Sequence, residues 1–481
     1  MIESRAGKTL PDQDAPQVAV CSPLAILDGV SFSGESWTNW SKSLEAKPTA
    51  TWYPRSLADL QVILREAKAN NKKIRCAGTG HSWCGGAVTG DYLVLNHSMN
   101  KIHEPKETNH GWTVTIETGV TVAELDAALR AHNPPLAVPS NVLPIDVRYG
   151  GILTMGCHGP SVNARSMCDM ITEMTILNAD GDLVTYSEAK DPEAFSAACV
   201  NLGLLGIIYT VTLKVETMNT RLRVKDSYPT LENLLDGPDA GLKLKARILN
   251  NEGTEFLYWP FKHFMKPDQN DAIWIKEWER TTEPAESVNP HEGRPPMIDN
   301  PFFSTFHVGE RVLETPDALH FQLGDGVTTV SDAGAAIKAD SDFKNIVQMF
   351  KELVEKNWAF TTSMPERMGT ALEMRIIKAS NKMMSPLYDE DPEALYCLVN
   401  VMAASGTPGF EDYSIDIVQN WIDKYQAKPH WPKMWEKVPG VATYLRREYG
   451  DRLVRFNRVR KTQDPQDMFV NDTWKPLLED L

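Results

Sequence analysis

Four short segments of this chain carry residue types that can do chemistry. The first is Ala77-Gly78-Thr79-Gly80-His81-Ser82. A strand feeding a glycine-bearing loop exposes successive backbone N–H groups, and such a row of donors can cradle a pyrophosphate. The loop is neither G-x-G-x-x-G nor G-x-x-x-x-G-K-[ST], so neither of those phosphate-binding patterns fits. A tight turn with a surface histidine explains the same six residues equally well. The second is Gly150-Gly151 followed by Gly156-Cys157-His158-Gly159. Glycines there permit close backbone approach to a flat or charged ligand, and a histidine flanked by glycines is not a usual core residue. The third is Glu373-Met374-Arg375 in an apolar run, where strand alternation puts both charges on one face. They are a surface ion pair or part of a site. The fourth is Pro429-His430-Trp431-Pro432-Lys433, which offers stacking surface and a polar tip, or a structural corner.

Elements must hold these segments in place. Ser56-Leu57-Ala58-Asp59 resembles a capping box, and apolar residues at helical spacing follow it. Asn70-Asn71 then turns the chain into a short strand and the first glycine loop. DYLVLNHS and WTVTIETG read as strands, and TVAELDAALRAHN reads as a helix capped by Thr121. The stretch VPSNVLPIDVRYGGILTMGCHGPS reads as irregular. A hairpin around Asp180-Gly181, a helix DPEAFSAACVNLGLLG and a strand IIYTVTLKVE follow. Strands GTEFLYWPF, ALEMRIIK and LYCLVNVMAA, the helix FKNIVQMFKELVEKNW and a Pro- and Glu-rich stretch at 278–300 fill the next part. Short helical pieces close the chain. Four units are expected: an extended arm over 1–35, with regular structure starting near Trp52; an α+β unit over 36–215; a second unit over 216–425; and a closing segment over 426–481.

Composition narrows the function classes. With 481 residues, 42% of them hydrophobic and 23% charged, the chain can build a packed core in two or three domains. Its net charge of −15 argues against a nucleic-acid partner. The N-terminus lacks the basic start and apolar core of a secretory signal, and no run of about 18 apolar residues predicts a transmembrane helix. Seven scattered cysteines form no CxxC pair or metal-type cluster, so no metal site is expected and a reducing, intracellular setting is. That setting is the cytoplasm or a membrane-associated organelle. Asn39, Asn96 and Asn471 stand in N-x-S/T sequons, which also arise by chance.

Taken in order, the segments resemble the vanillyl-alcohol oxidase superfamily of flavoproteins, and within it the sugar-1,4-lactone and alditol oxidases. The resemblance runs from Trp37-Thr38-Asn39-Trp40 through AGTGHSW, GG…GCHG, LGLLGI, the E-x-R strand and PHWPK to Asp464-Pro465…Phe469-Val470-Asn471. It implies an α+β fold: a PCMH-type two-subdomain FAD-binding domain, plus a cap domain whose antiparallel sheet is flanked by helices. It implies FAD bound covalently to His81. It also implies cofactor contacts from Ala77, Gly78, Thr79, Gly80, Ser82, Gly151, Gly156, His158 and Gly159, a backbone contact to adenine at Ile208, and His430 packed at the flavin. Bicovalent relatives add a cysteine before the GG pair. Asp146 and Val147 stand there instead, and neither Cys84 nor Cys157 is at that position, so a single link is expected.

On the substrate side the resemblance assigns Arg375 and Lys433 to electrostatic stabilisation and Glu373 to substrate binding and orientation, and leaves the proton acceptor open. Alditol oxidases carry a histidine where Asn400 is the nearest polar residue, and a substrate-facing serine aligns with Leu143. Val142 stands where many members have alanine beside the flavin, and its bulk would restrict dioxygen. The implied reaction oxidises a secondary hydroxyl of a gulono-, glucono- or arabinono-lactone, with dioxygen as acceptor and hydrogen peroxide and an ascorbate-type compound as products. The alternatives are an alditol oxidase acting on a polyol, a lactone dehydrogenase, and a catalytically silent flavin-binding protein. Intact Glu373, Arg375 and Lys433 argue against the last.

Overall fold

A computed structural model describes residues 31–32, 35–258, 273–286, 309–320, 329–362, 371–479 and 481. Most of the expected N-terminal arm, and residues 287–300 of the Pro- and Glu-rich stretch, lie outside the described residues. Helices and mostly antiparallel sheets mix along the chain, as an α+β fold requires. A small sheet orders Ser31–Phe32, Ala50–Trp52, Tyr92–Leu95 and Ile74–Ala77, the last three parallel. Helix Leu57–Ala69 buries Leu60, Ile63, Leu64 and Ala67 in the same core as Trp52, Ile74 and Val94. The Ser56 hydroxyl accepts the Asp59 N–H at its start. Asp59 does not reciprocate, because its carboxylate takes the Arg55 N–H instead. Thr121 caps helix Val122–Ala131 with a full capping box through Glu124.

A second, antiparallel sheet orders Leu183–Ser187, Ile171–Leu177, Ile207–Thr217, Gly111–Glu117 and Lys106–Thr108. Its first two strands are the expected hairpin, with Gly181 at φ +90° in the turn. The third sheet is the largest. It runs Gly309–Leu313, Arg221–Ser227, Ile273–Thr281, Gly253–Tyr258, Ala371–Lys378, Leu395–Ala404, Val330–Lys338 and Lys428–Pro429, antiparallel throughout. Helices Lys344–Thr362 and Phe410–Tyr425 share the buried core with it.

Three local expectations change. Short strands at Trp37–Thr38 and Glu45–Ala46 pair ahead of Trp52. The segment read as irregular contains helix Tyr149–Thr154, with both glycines in its first turn. The reason is a close approach: Gly150 N–H donates to the Thr118 carbonyl at 3.0 Å, and a Cβ at Gly150 would lie 3.0 Å from Thr118 Cβ. The closing segment holds a long helix, Val441–Gln463, broken only at Gly450 (φ 48°), rather than short pieces. All three sequon asparagines, Asn39, Asn96 and Asn471, are buried, which removes them as glycan acceptors.

Candidate active site

One groove collects most of the residues singled out by sequence. It holds about 1530 Å³ of empty space, counting its open mouth. Ala77, Gly78, Thr79, Gly80, His81 and Ser82 line it, with Gly151, His158, Ile208, Glu373, Arg375, Asn400, His430 and Lys433. Three expected residues are not among the lining. Gly156 makes a turn at φ +63°. Gly159 is a packing glycine, because a Cβ there would sit 2.1 Å from Ser140 Oγ. Leu143 gives its carbonyl to His320 Nδ1 at 3.1 Å, and the preceding Val142 lines the groove in its place.

Tertiary contacts fix the glycine loop. Gly80 adopts φ +75° with Trp37 closing on its α-carbon, a conformation that disfavours side chains. Its carbonyl accepts the Trp40 N–H at 2.8 Å, and Asn39 Nδ2 donates to the Ser82 carbonyl at 3.0 Å. Trp40 stacks on the His81 ring, with centroids 4.6 Å apart and planes 18° apart. His81 Nε2 stands 3.3 Å from Asp146 Oδ2. The hydrogen bond with His81 is the main influence holding the Asp146 carboxyl below its ordinary value. Trp83 joins the loop to the PHWPK segment: its N–H donates to the Pro432 carbonyl at 2.7 Å, and its indole N–H to the Val330 carbonyl at 2.6 Å. Beneath the loop, buried Arg75 donates to the carbonyls of Gly86, Gly203, Phe469 and Leu202. It ties the groove wall at Gly86 and at Leu202-Gly203, and the segment at Phe469, to one strand.

The far end of the groove is set by strand register. Glu255 pairs with Arg375, and Asn400 with both Glu373 and Gly334. Lys276 pairs with Glu255. Alternation therefore brings Lys276, Glu255, Arg375, Glu373, Asn400 and Asp332 to one face of the large sheet. They form a buried polar row. Lys276 Nζ lies 3.4 Å from Glu255 Oε2, and Arg375 Nε lies 3.3 Å from Glu255 Oε1. The Arg375 guanidinium also donates to Glu373 Oε1, and Asn400 Nδ2 donates to Glu373 Oε2 at 3.0 Å. At the row's end, the Lys433 ammonium bonds the Asp332 carboxylate and lies 4.4 Å over the Trp83 ring. The E-x-R pair is thus a buried, networked pair rather than a surface one.

Two histidines sit between the ends of the groove. The rings of His158 and His430 are 5.0 Å apart and tilted by 50°. Burial pushes His430 down to about 3, helped by the Lys433 charge. Burial, then the neighbouring His430, pushes His158 well below its ordinary value. Burial thus disfavours the charged form of both rings. Two cations beside a largely buried surface can therefore stabilise negative charge developing on a substrate oxygen. Sequence reasoning missed Asp332, Glu255, Lys276 and Trp83. For Glu255 and Asp332 the available signal was an acidic residue inside an apolar strand, GTEFLY and VSDAGAAIK.

Comparison with known proteins agrees with this geometry. A family model described as an FAD binding domain matches residues 48–187, and one described as D-arabinono-1,4-lactone oxidase matches residues 340–476. The L-gulonolactone oxidase of Mus musculus is 30% identical over 477 residues, covering 92% of this chain and 97% of that protein. The chain belongs to the aldonolactone-oxidase family of PCMH-type flavoproteins. It is an FAD-dependent oxidoreductase acting on CH–OH groups. A member of this family from Mycobacterium tuberculosis, an L-gulono-1,4-lactone dehydrogenase, is 23% identical and covers 92% of this chain and 99% of its own. The cholesterol oxidase of B. sterolicum shares the fold, with a TM-score of 0.78 at 17% identity, covering 96% of this chain and 100% of that one.

The residues present fit the family's FAD. Its pyrophosphate needs backbone donors at close range, and residues 77–82 offer them from a glycine loop, while a Cβ at Gly151 would meet nothing within 4 Å. Asn96 Oδ1 is buried on the groove wall without a hydrogen-bond partner among the described residues, as is Asn400 Oδ1 at the substrate end. The Ile208 carbonyl, by contrast, already accepts from Thr118 Oγ1 at 3.0 Å. Among the described residues, no helix is long and apolar enough to cross a membrane.

Proposed function

We propose that this member of the family oxidises a secondary hydroxyl of a sugar-1,4-lactone, with FAD held covalently on His81. One observation carries the reading: the glycine cradle, the buried Glu373, Arg375 and Asn400, and the half-buried Lys433 open onto the same groove. When bound, FAD takes the hydride from the carbinol carbon. Arg375 and Lys433 stabilise charge on the substrate oxygen. Glu373, held by Arg375 and Asn400, orients the hydroxyls, and the unpartnered Asn400 Oδ1 accepts from one of them. His430, buried on the groove wall, would pack against the flavin. Trp40 stacks on His81 and Asp146 faces its Nε2, which holds the ring for a single covalent link. Residues 36–215 and 426–481 build the cofactor site and residues 216–425 the substrate side, which Lys433 reaches from the closing segment. Dioxygen would be the final electron acceptor, with hydrogen peroxide as the product.

Lactone dehydrogenase is the second reading. Val142 supports it, because this branched side chain lines the groove and narrows the approach of dioxygen. Turnover of a panel of lactones and polyols, with and without dioxygen, tests the function. Lactone oxidation with peroxide release is expected. Turnover with an artificial acceptor alone identifies a dehydrogenase, and preference for a polyol refutes the lactone assignment. The mass of the acid-denatured protein tests the link: a gain of one FAD is expected, and its persistence in His81→Ala refutes the assignment to His81.

A further inference from the structure

We infer that Asp332 receives the proton that leaves the substrate hydroxyl, acting through Lys433. This rests on the oxidation proposed above, which must dispose of one proton for each hydroxyl oxidised. The geometry divides the task between two residues. Lys433 lines the groove, whereas Asp332 lies behind it on strand Val330–Lys338 and is 2% exposed. One Asp332 oxygen, Oδ2, accepts from the Lys433 ammonium, and the other, Oδ1, is buried with no partner among the described residues. Backbone bonds lock the pair, with Met434 N–H on the Asp332 carbonyl and Lys433 N–H on the His430 carbonyl, both at 3.0 Å. The Trp83 ring closes the other side of the ammonium.

The neighbouring groups are poorer acceptors. Both Glu373 oxygens are taken, by Arg375 and by Asn400. Burial pushes His430 down to about 3 and His158 well below its ordinary value, which makes both rings weak bases. Burial pushes the Cys157 thiol beside Lys433 up to about 12. Asp332 differs. A buried carboxylate with one bare oxygen is a poorly stabilised anion. Burial raises it to about 6 against the opposing pull of Lys433, with Glu373 raising it further and Arg375 lowering it. In the step, Lys433 Nζ gives a proton to Asp332 Oδ2 as it takes the hydroxyl proton. The C–H electron pair leaves as hydride to FAD, and the C=O bond forms. Lys433 ends as ammonium and Asp332 as carboxylic acid, which later returns its proton to solvent.

The test uses the FAD-loaded enzyme with Asp332→Asn and Asp332→Glu. For the wild type, kcat/KM should fall on the acid side with a midpoint near 6. Asp332→Asn should lose that limb and about 10²–10⁴-fold in kcat. Asp332→Glu should keep a limb, at a shifted midpoint, and recover part of the rate. Potentiometric titration of the folded proteins through pH 6 gives a readout independent of turnover, and the wild type should take up one proton more than Asp332→Asn. An unchanged acid limb in Asp332→Asn overturns the inference, as does an identical titration. If Asp332→Asn fails to fold, an unshifted limb in Asp332→Glu overturns it. A wild type that oxidises no lactone refutes the proposed function instead, and the titration still decides on Asp332.

Discussion

Gly334 faces Asn400 across two strands, and this pairing makes a sharp prediction. Its backbone lies outside the left-handed region, so alanine is conformationally allowed. In an ordinary strand, Gly→Ala gains about 0.5–1 kcal/mol. Here the new Cβ would fall 2.0 Å from Asn400 Oδ1 and 3.0 Å from its Cγ. Asn400 must swing away, and the sign reverses. We expect Gly334→Ala to cost about 1–3 kcal/mol of stability by overpacking. The swing also breaks the 3.0 Å bond from Asn400 to Glu373. A hydrogen bond to a charged group contributes about 1.5–3 kcal/mol. If that bond orients Glu373 in the transition state, kcat/KM falls about 10- to 150-fold. Urea unfolding and steady-state kinetics measure both effects. The cycle with Asn400→Ala is decisive, because once the clashing atoms are gone Gly334→Ala should add little, leaving about 1–3 kcal/mol of coupling. Wild-type stability and turnover in Gly334→Ala would show that Asn400 does not need its place against Gly334.

Other perturbations follow from the same contacts. Glu255→Gln removes the charge between Lys276 and Arg375, and should cost about 3–5 kcal/mol in urea unfolding and misorient Arg375; unchanged stability and kcat/KM would count against the buried row. Arg75→Met strips four carbonyls of their donor, so a loss of at least about 3 kcal/mol and weaker FAD uptake by the apoprotein are expected, with normal uptake as the contrary result. Asp146 has a folded value below its unfolded one, so its contribution is present above about pH 4 and is lost as pH falls through the folded value. Asp146→Asn should therefore melt slightly below wild type at neutral pH, and the gap should close in acid. A gap constant across pH would show that ionisation of Asp146 is not the cause.

Local chemistry made much of this fold legible. The caps at Ser56 and Thr121, the turn at Asp180-Gly181 and the alternation of Glu373 and Arg375 each act within a few residues. Two glycines in sequence argued for irregular backbone at 150–151, but contact with Thr118 lets a helix pass there, a tertiary effect that local spacing does not record. Counting back from Gly151 put Leu143 on the substrate side, and the backbone turn presents Val142 instead. Glu255, Lys276 and Asp332 were illegible for a related reason. Each stands on a different strand, and only the register Glu255↔Arg375, Lys276↔Glu255 and Asn400↔Gly334 makes them neighbours. Asp332 and Lys433 are 101 positions apart.

The most direct test mixes the purified yellow enzyme with L-gulono-1,4-lactone or its glucono and arabinono counterparts without dioxygen. The flavin colour should bleach with at least one of them, consuming one lactone per flavin. A spectrum that stays unchanged with every lactone would contradict the lactone assignment.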